Sequence, residues 1–141
     1  MTGGLDQARI IGLGARVHIF VRPRARAEFT HLFRDVLGCD VKELDFGLAH
    51  PILLVAFRDG SAFSVEFTEL APAEPVEAVV DDENAFHGAW IEFRTEDVAA
   101  VQRQLREVGI PEFRHVGSSH SYFSAPGGQV FRILDINYKG P

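Results

Sequence analysis

The sequence predicts an α+β fold built from two consecutive βαβββ modules, and three observations predict it. Apolar runs separated by a tight turn occur in both halves: Ile52 to Phe57, then Asp59-Gly60, then SAFSVEF; and later Ser121 to Ser124, then Pro126-Gly127-Gly128, then QVFRILD. Each reads as a β-hairpin, because glycine and proline supply the turn geometry that other residues reach only at a cost. Upstream of each hairpin lies a stretch whose apolar residues recur at three and four positions and which ends on a glycine, Gly38 in one half and Gly109 in the other. A short strand-like run precedes each of these helices. The chain therefore looks duplicated.

Taken in order, residues 1 to 14 are glycine-rich and mostly aperiodic and read as a tail that packs loosely through Ile10 and Ile11. Gly12-Leu13-Gly14 has the look of a dinucleotide fingerprint, but it lacks the third glycine and enters a strand instead of leaving one. Arg16 to Val21, RVHIFV, is short, β-branched and aromatic, and it predicts the first strand, with Arg16, His18 and Phe20 on one face. After Pro23, the positions Ala25, Phe29, Leu32, Phe33, Val36 and Leu37 form the apolar stripe of a helix. Strands follow at Val41 to Phe46, Ile52 to Phe57 and Ala62 to Phe67.

Leu70 to Asn84 contains prolines and the acids Asp81, Asp82 and Glu83, and it reads as a surface linker. The order then repeats. Ala89 to Phe93 predicts a strand, and a helix starting at Thr95 or Glu96 carries Val98, Val101, Leu105 and Val108 on one stripe. Strands at Glu112 to Val116, Ser121 to Ser124 and Gln129 to Ile136 complete the second module. Neither four-stranded sheet can cover its apolar face alone, so the halves are expected to share a core. The expectation is one domain over residues 1–141, with module one at about 15–70, a linker at about 71–86 and module two at about 87–138.

Composition bounds the function. A chain of 141 residues, 46% hydrophobic and with twelve Phe, suffices for one core and does not need disulfides. The single cysteine, Cys39, has no partner within the chain and no secretory signal precedes the first strand, so a reducing cytoplasm is the expected compartment. No stretch is long enough to span a membrane. The net charge of −6 opposes binding to a polyphosphate, so nucleic acid is not an expected partner. Arg22, Arg24 and Arg26 cluster at a helix start and read as a solvated face.

The paired modules, the helix-ending VLG of residues 36 to 38 and the stretch YFSAPGGQVFRIL together resemble the vicinal oxygen chelate superfamily over residues 15 to 137. That superfamily includes glyoxalase I, extradiol dioxygenases, fosfomycin-resistance transferases and bleomycin-resistance proteins. The resemblance implies a curved, cup-like mixed sheet shared by the modules, and a homodimer. Members with metal chemistry place His or Glu on the first and last strands of each module, facing the cup, where a divalent ion binds two substrate oxygens. Counting back from Arg22-Pro23 puts Arg16 at the first of these positions. Counting from Asp97 puts Trp90 at another, and counting from Gly128 puts Arg132 at a third. Arginine has no lone pair for a cation, so of the aligned set only Glu66 remains able to act as a ligand.

Two readings follow from the resemblance. In the first, the protein is a metal-free, small-molecule-binding module of the glyoxalase/bleomycin-resistance type, without a cofactor. Arg16 or Arg132 binds an anionic or carbonyl-bearing ligand, and Trp90, Phe20 and Phe63 form apolar walls. In the second, it is a metal-dependent lyase or dioxygenase whose divalent ion has moved to His18, Glu66 and Glu92. A third possibility removes function from the site, with Arg16, Arg132, Glu66 and Glu92 pairing among themselves. Among other candidates, His120 and Tyr122 could face the cup as base and donor. His31 looks structural or exposed, and Ser118, Ser119 and His120 do not make a triad, because sequence neighbours point apart.

Overall fold

Alternation along β1 (His18–Val21) decides which way the first sheet faces, since Ile19 and Val21 are buried while His18 and Phe20 stay exposed. The computed structural model describes residues 10–72, 89–114 and 119–140. The described part of the linker ends at residue 72, so its acids lie outside the described residues, as do residues 1–9 of the tail and 115–118. β1 lies parallel to β4 (Ala62–Phe67), which pairs antiparallel with β3 (Ile52–Ala56), which in turn pairs with β2 (Asp40–Leu44). The second module repeats this order. β5 (Trp90–Thr95) is parallel to β8 (Val130–Asp135), followed by β7 (Ser121–Ser124) and β6 (Glu112–Phe113). The architecture is thus α+β with two mixed four-stranded sheets, ordered β1-β4-β3-β2 and β5-β8-β7-β6.

The helix of module one is not uniform. Pro23–Ala25 forms a 3₁₀ turn, α1 covers Arg26–Thr30, and His31–Val36 widens into a π-helix. The widening is visible in the Leu37 amide, which donates to Leu32 O at 2.9 Å, while Cys39 N reaches back to Phe33 O at 2.8 Å across Gly38, whose φ is +73°. Leu32 and Phe33, three and four residues after Phe29, are buried with it, as the apolar stripe requires. In module two, α2 (Val98–Glu107) starts later than the expected Thr95 or Glu96. Asp97 is its N-cap and accepts from Ala100 N at 3.0 Å, and Arg94 and Thr95 extend β5 by pairing with Leu134 and Asp135. Other boundaries move by a few residues. β1 begins at His18, so Arg16 precedes the strand, and β2 ends at Leu44 short of Phe46.

The buried faces of both sheets and both helices join in one hydrophobic core. Aromatic rings form the junction. Phe33 lies 5.5 Å from Phe131, Phe63 lies 5.8 Å from Phe131, and Phe57 lies 5.9 Å from Phe93, each pair bridging the modules. Gln104 on α2 also donates to Val36 O at 3.2 Å. The expected shared core is present, and it corrects one assignment: Phe63 is 5% exposed and lies within the core, so it is no wall of an open site.

The second hairpin turn contributes to the same junction. Gly127 has φ of +100° and lies against Val21 of β1, so closely that a Cβ there would overlap the Val21 methyl groups. Gly60, in the first hairpin, has φ of +88° with no atom near its missing Cβ. Gly60→Ala therefore incurs only backbone strain, about 1–3 kcal/mol, whereas Gly127→Ala adds overpacking and should cost about 2–5 kcal/mol. Urea unfolding of the two variants checks this, with a clearly larger fall in midpoint expected for Gly127→Ala.

Candidate functional site

Because alternate residues of each strand enter the core, the intervening ones lie on the face away from it. On the first sheet this outer face carries His18, Phe20, Ser64 and Glu66. The parallel register sets His18 beside Ser64 and Phe20 beside Glu66. His18 Nδ1 lies 2.6 Å from Ser64 Oγ, Nε2 lies 3.2 Å from Glu66 Oε1, and the Phe20 ring meets the imidazole edge-on at 5.0 Å. Phe20 is 53% exposed, so the face is open.

On the second sheet the outer face carries Trp90, Glu92, Tyr122 and Arg132. The Arg132 guanidinium stacks over the Trp90 ring at 4.1 Å, a cation–π contact. Trp90 meets Tyr122 at 6.2 Å, and Tyr122 stacks on Phe113 at 6.0 Å within a small second buried cluster of Phe113, Tyr122 and Val130. Glu92 is in register with Arg132 but forms no ion pair with it among the described residues. Arg132 Nε is buried without a hydrogen-bond partner. Arg16 is exposed ahead of β1.

The mutual pairing of Arg16, Arg132, Glu66 and Glu92 is therefore not what the structure shows. Glu66 is taken by His18, and the ion pairs among the described residues involve neither Arg16 nor Arg132. The moved metal site is not assembled within one chain either. His18 and Glu66 lie together on the first sheet and Glu92 on the second, and no three His, Cys, Asp or Glu among the described residues come together in a way that could hold an ion. Two donors fall short of the three that a catalytic divalent ion requires.

The remaining candidates have other settings. His31 is exposed and hydrogen-bonded to Asp35 at 3.1 Å, and the adjacent Arg34 and His31 hold the Asp35 carboxyl down at about 2. His120 meets Tyr138 edge-on at 4.7 Å. Burial pushes the Cys39 thiol up to about 11, the opposite of an activated thiolate. The residue missed by sequence reasoning is Ser64. Its position two residues before Glu66 on the same strand face was the available signal.

The same architecture recurs in solved structures. An antibiotic-binding protein, TnmS3, from a Streptomyces species matches with a TM-score of 0.61 at 17% identity, over 91% of this chain and 98% of that one. A member of the glyoxalase/bleomycin resistance protein/dioxygenase superfamily from Sphaerobacter thermophilus matches at TM-score 0.60 and 15% identity, over 89% of this chain and 98% of that one. The chain has the vicinal oxygen chelate fold. The fosfomycin resistance protein FosX from Listeria monocytogenes shares it at TM-score 0.61 and 11% identity, over 89% and 91%. No family model and no curated protein matches the sequence. In this vicinal oxygen chelate fold, the outer faces of the two sheets are where the candidate residues collect.

Proposed function

We propose that the protein binds a small aromatic or anionic molecule without a metal, in the manner of the bleomycin-resistance type. The Trp90–Arg132 stack carries this reading. A guanidinium fixed on an indole face, with no carboxylate partner among the described residues, offers charge and a flat apolar surface to one ligand at once. The buried Tyr122, itself stacked on Phe113, backs the Trp90 ring and helps to hold it in place. Antibiotic binding and fosfomycin resistance in proteins of the same fold support a small-molecule ligand. The single buried thiol fits a cytoplasmic setting, and no helix among the described residues is long and apolar enough to cross a membrane.

Trp90 is the only tryptophan, so its fluorescence reports on the stack directly. Titration with aromatic carboxylates and phosphonates should quench or shift that emission. Arg132→Ala should lower affinity by about 2–5 kcal/mol, the usual effect of truncating a charged contact, without lowering the melting temperature. Retained affinity with a lower melting temperature would make Arg132 structural and overturn the reading.

The metal-dependent alternative retains one supporting observation, the His18–Glu66 pair at 3.2 Å. Elemental analysis of protein purified without a chelator or affinity metal separates the two. We expect no stoichiometric transition metal and no methylglyoxal–glutathione isomerase activity on adding zinc or nickel.

A homodimer is part of the proposal. Phe20 is 53% and Trp90 41% exposed on the two outer faces, apolar surface that a second copy would cover. Light scattering at micromolar concentration should give twice the chain mass, and a monomeric mass would remove this part.

A further inference from the structure

The outer face of the first sheet holds a three-residue hydrogen-bonded relay. Parallel pairing places His18 of β1 beside Ser64 of β4, and the alternation of β4 returns Glu66 to the same face two residues later. The imidazole therefore sits between a hydroxyl and a carboxylate. Ser64 Oγ is 2.6 Å from Nδ1, and Glu66 Oε1 is 3.2 Å from Nε2. An ionised carboxylate only accepts, so the proton belongs on Nε2 and the Nδ1 lone pair faces the serine hydroxyl. A nucleophile in contact with a base that a third group orients is the arrangement that activates a hydroxyl. The His18 and Glu66 side chains keep 35% and 30% of their exposure, so a small molecule can reach the relay from the open side.

We propose that Ser64 is a nucleophile for acyl transfer from small aryl esters, with His18 as its general base and Glu66 as the residue that positions the imidazole. Ser64 Oγ bonds to the ester carbonyl carbon while its proton passes to His18 Nδ1, and Glu66 stabilises the resulting imidazolium through Nε2–H. The tetrahedral adduct then breaks its bond to the phenolate, which takes the proton from Nδ1 and leaves the acyl group on Ser64. Water, deprotonated by Nδ1, attacks the acyl carbonyl. The proton returns to Oγ as the carboxylic acid departs.

Substrate class follows from what surrounds the relay. The Ser64 amide donates to Val17 O at 3.0 Å, so it is not free to stabilise an oxyanion. Without that donor, the step needs a leaving group that departs easily, which favours aryl esters over alkyl esters and amides. Phe20, 5.0 Å from His18, and Leu54, in register with Ser64, give the face its apolar border. The relay lies on the first sheet and does not rest on the Trp90–Arg132 reading.

The test treats the full-length chain with a fluorophosphonate probe and separately with p-nitrophenyl acetate, and locates adducts by peptide mass mapping. The expected result is one adduct on Ser64 from each reagent, absent in Ser64→Ala. Its rate should fall by about 100-fold or more in His18→Ala, the usual contribution of a general base. Glu66→Gln should lower the maximal labelling rate and leave the probe's half-saturation concentration unchanged, a split that simple loss of structure would not give. His18→Asn serves if His18→Ala does not fold. No Ser64 adduct on the folded wild-type protein, or an undiminished rate in a folded His18 variant, would overturn the proposal.

Discussion

The contact of Phe33, Phe63 and Phe131 at 5.3 to 5.8 Å joins the modules, and the rest of the molecule is arranged by it. A four-stranded sheet with one helix leaves apolar surface that a module of this size cannot hide by itself. Here each module hides it against the other, with a phenylalanine from a helix and one from each sheet at the meeting point. Phe29 and Phe123 extend the cluster on either side, to Phe33 at 4.7 Å and to Phe131 at 5.4 Å. The hairpin turn at Gly127 closes against Val21 at the edge of the same core.

Committing one face of each sheet to this junction has a direct consequence for chemistry. Strand side chains alternate, so every residue next to a core position is directed to the opposite face. That places His18, Ser64 and Glu66 together on one sheet, and Trp90, Tyr122 and Arg132 together on the other. The two groups differ in character. The first is a satisfied polar chain in which each member has a partner, whereas the second sets a cation on an aromatic ring. A proton relay suits the first arrangement and recognition of a flat or anionic group suits the second. A small molecule large enough to use both would need the two faces brought together, which is where the proposed second copy bears on function.

Much of this was legible beforehand, for identifiable reasons. The hairpins announced themselves through Asp59-Gly60 and Pro126-Gly127-Gly128, because positive φ is a local requirement that few residues meet. Alternation also predicted the shared face of His18 and Phe20 and that of Trp90 and Glu92. The helix of module one was harder. Its apolar stripe is present, but a stripe of period 3.6 does not mark the π-helical widening at His31–Val36. Phe63 was misplaced because a phenylalanine in a strand fits a core and a cup wall equally well. Only its parity relative to Ser64 and Glu66 settles the question.

The sequence by itself determined the element order, the duplication, the turns and the sets of residues that share a strand face, since each of these follows from local backbone geometry and a period of two or 3.6. It also named most members of the candidate site. Only the tertiary structure decided their partners. Whether Glu66 meets an arginine or His18, and whether Arg132 meets Glu92 or the Trp90 ring, depends on distances across strands far apart in sequence. Those distances are set by which distant strands pair and by side-chain direction, which a hydrophobic pattern does not encode.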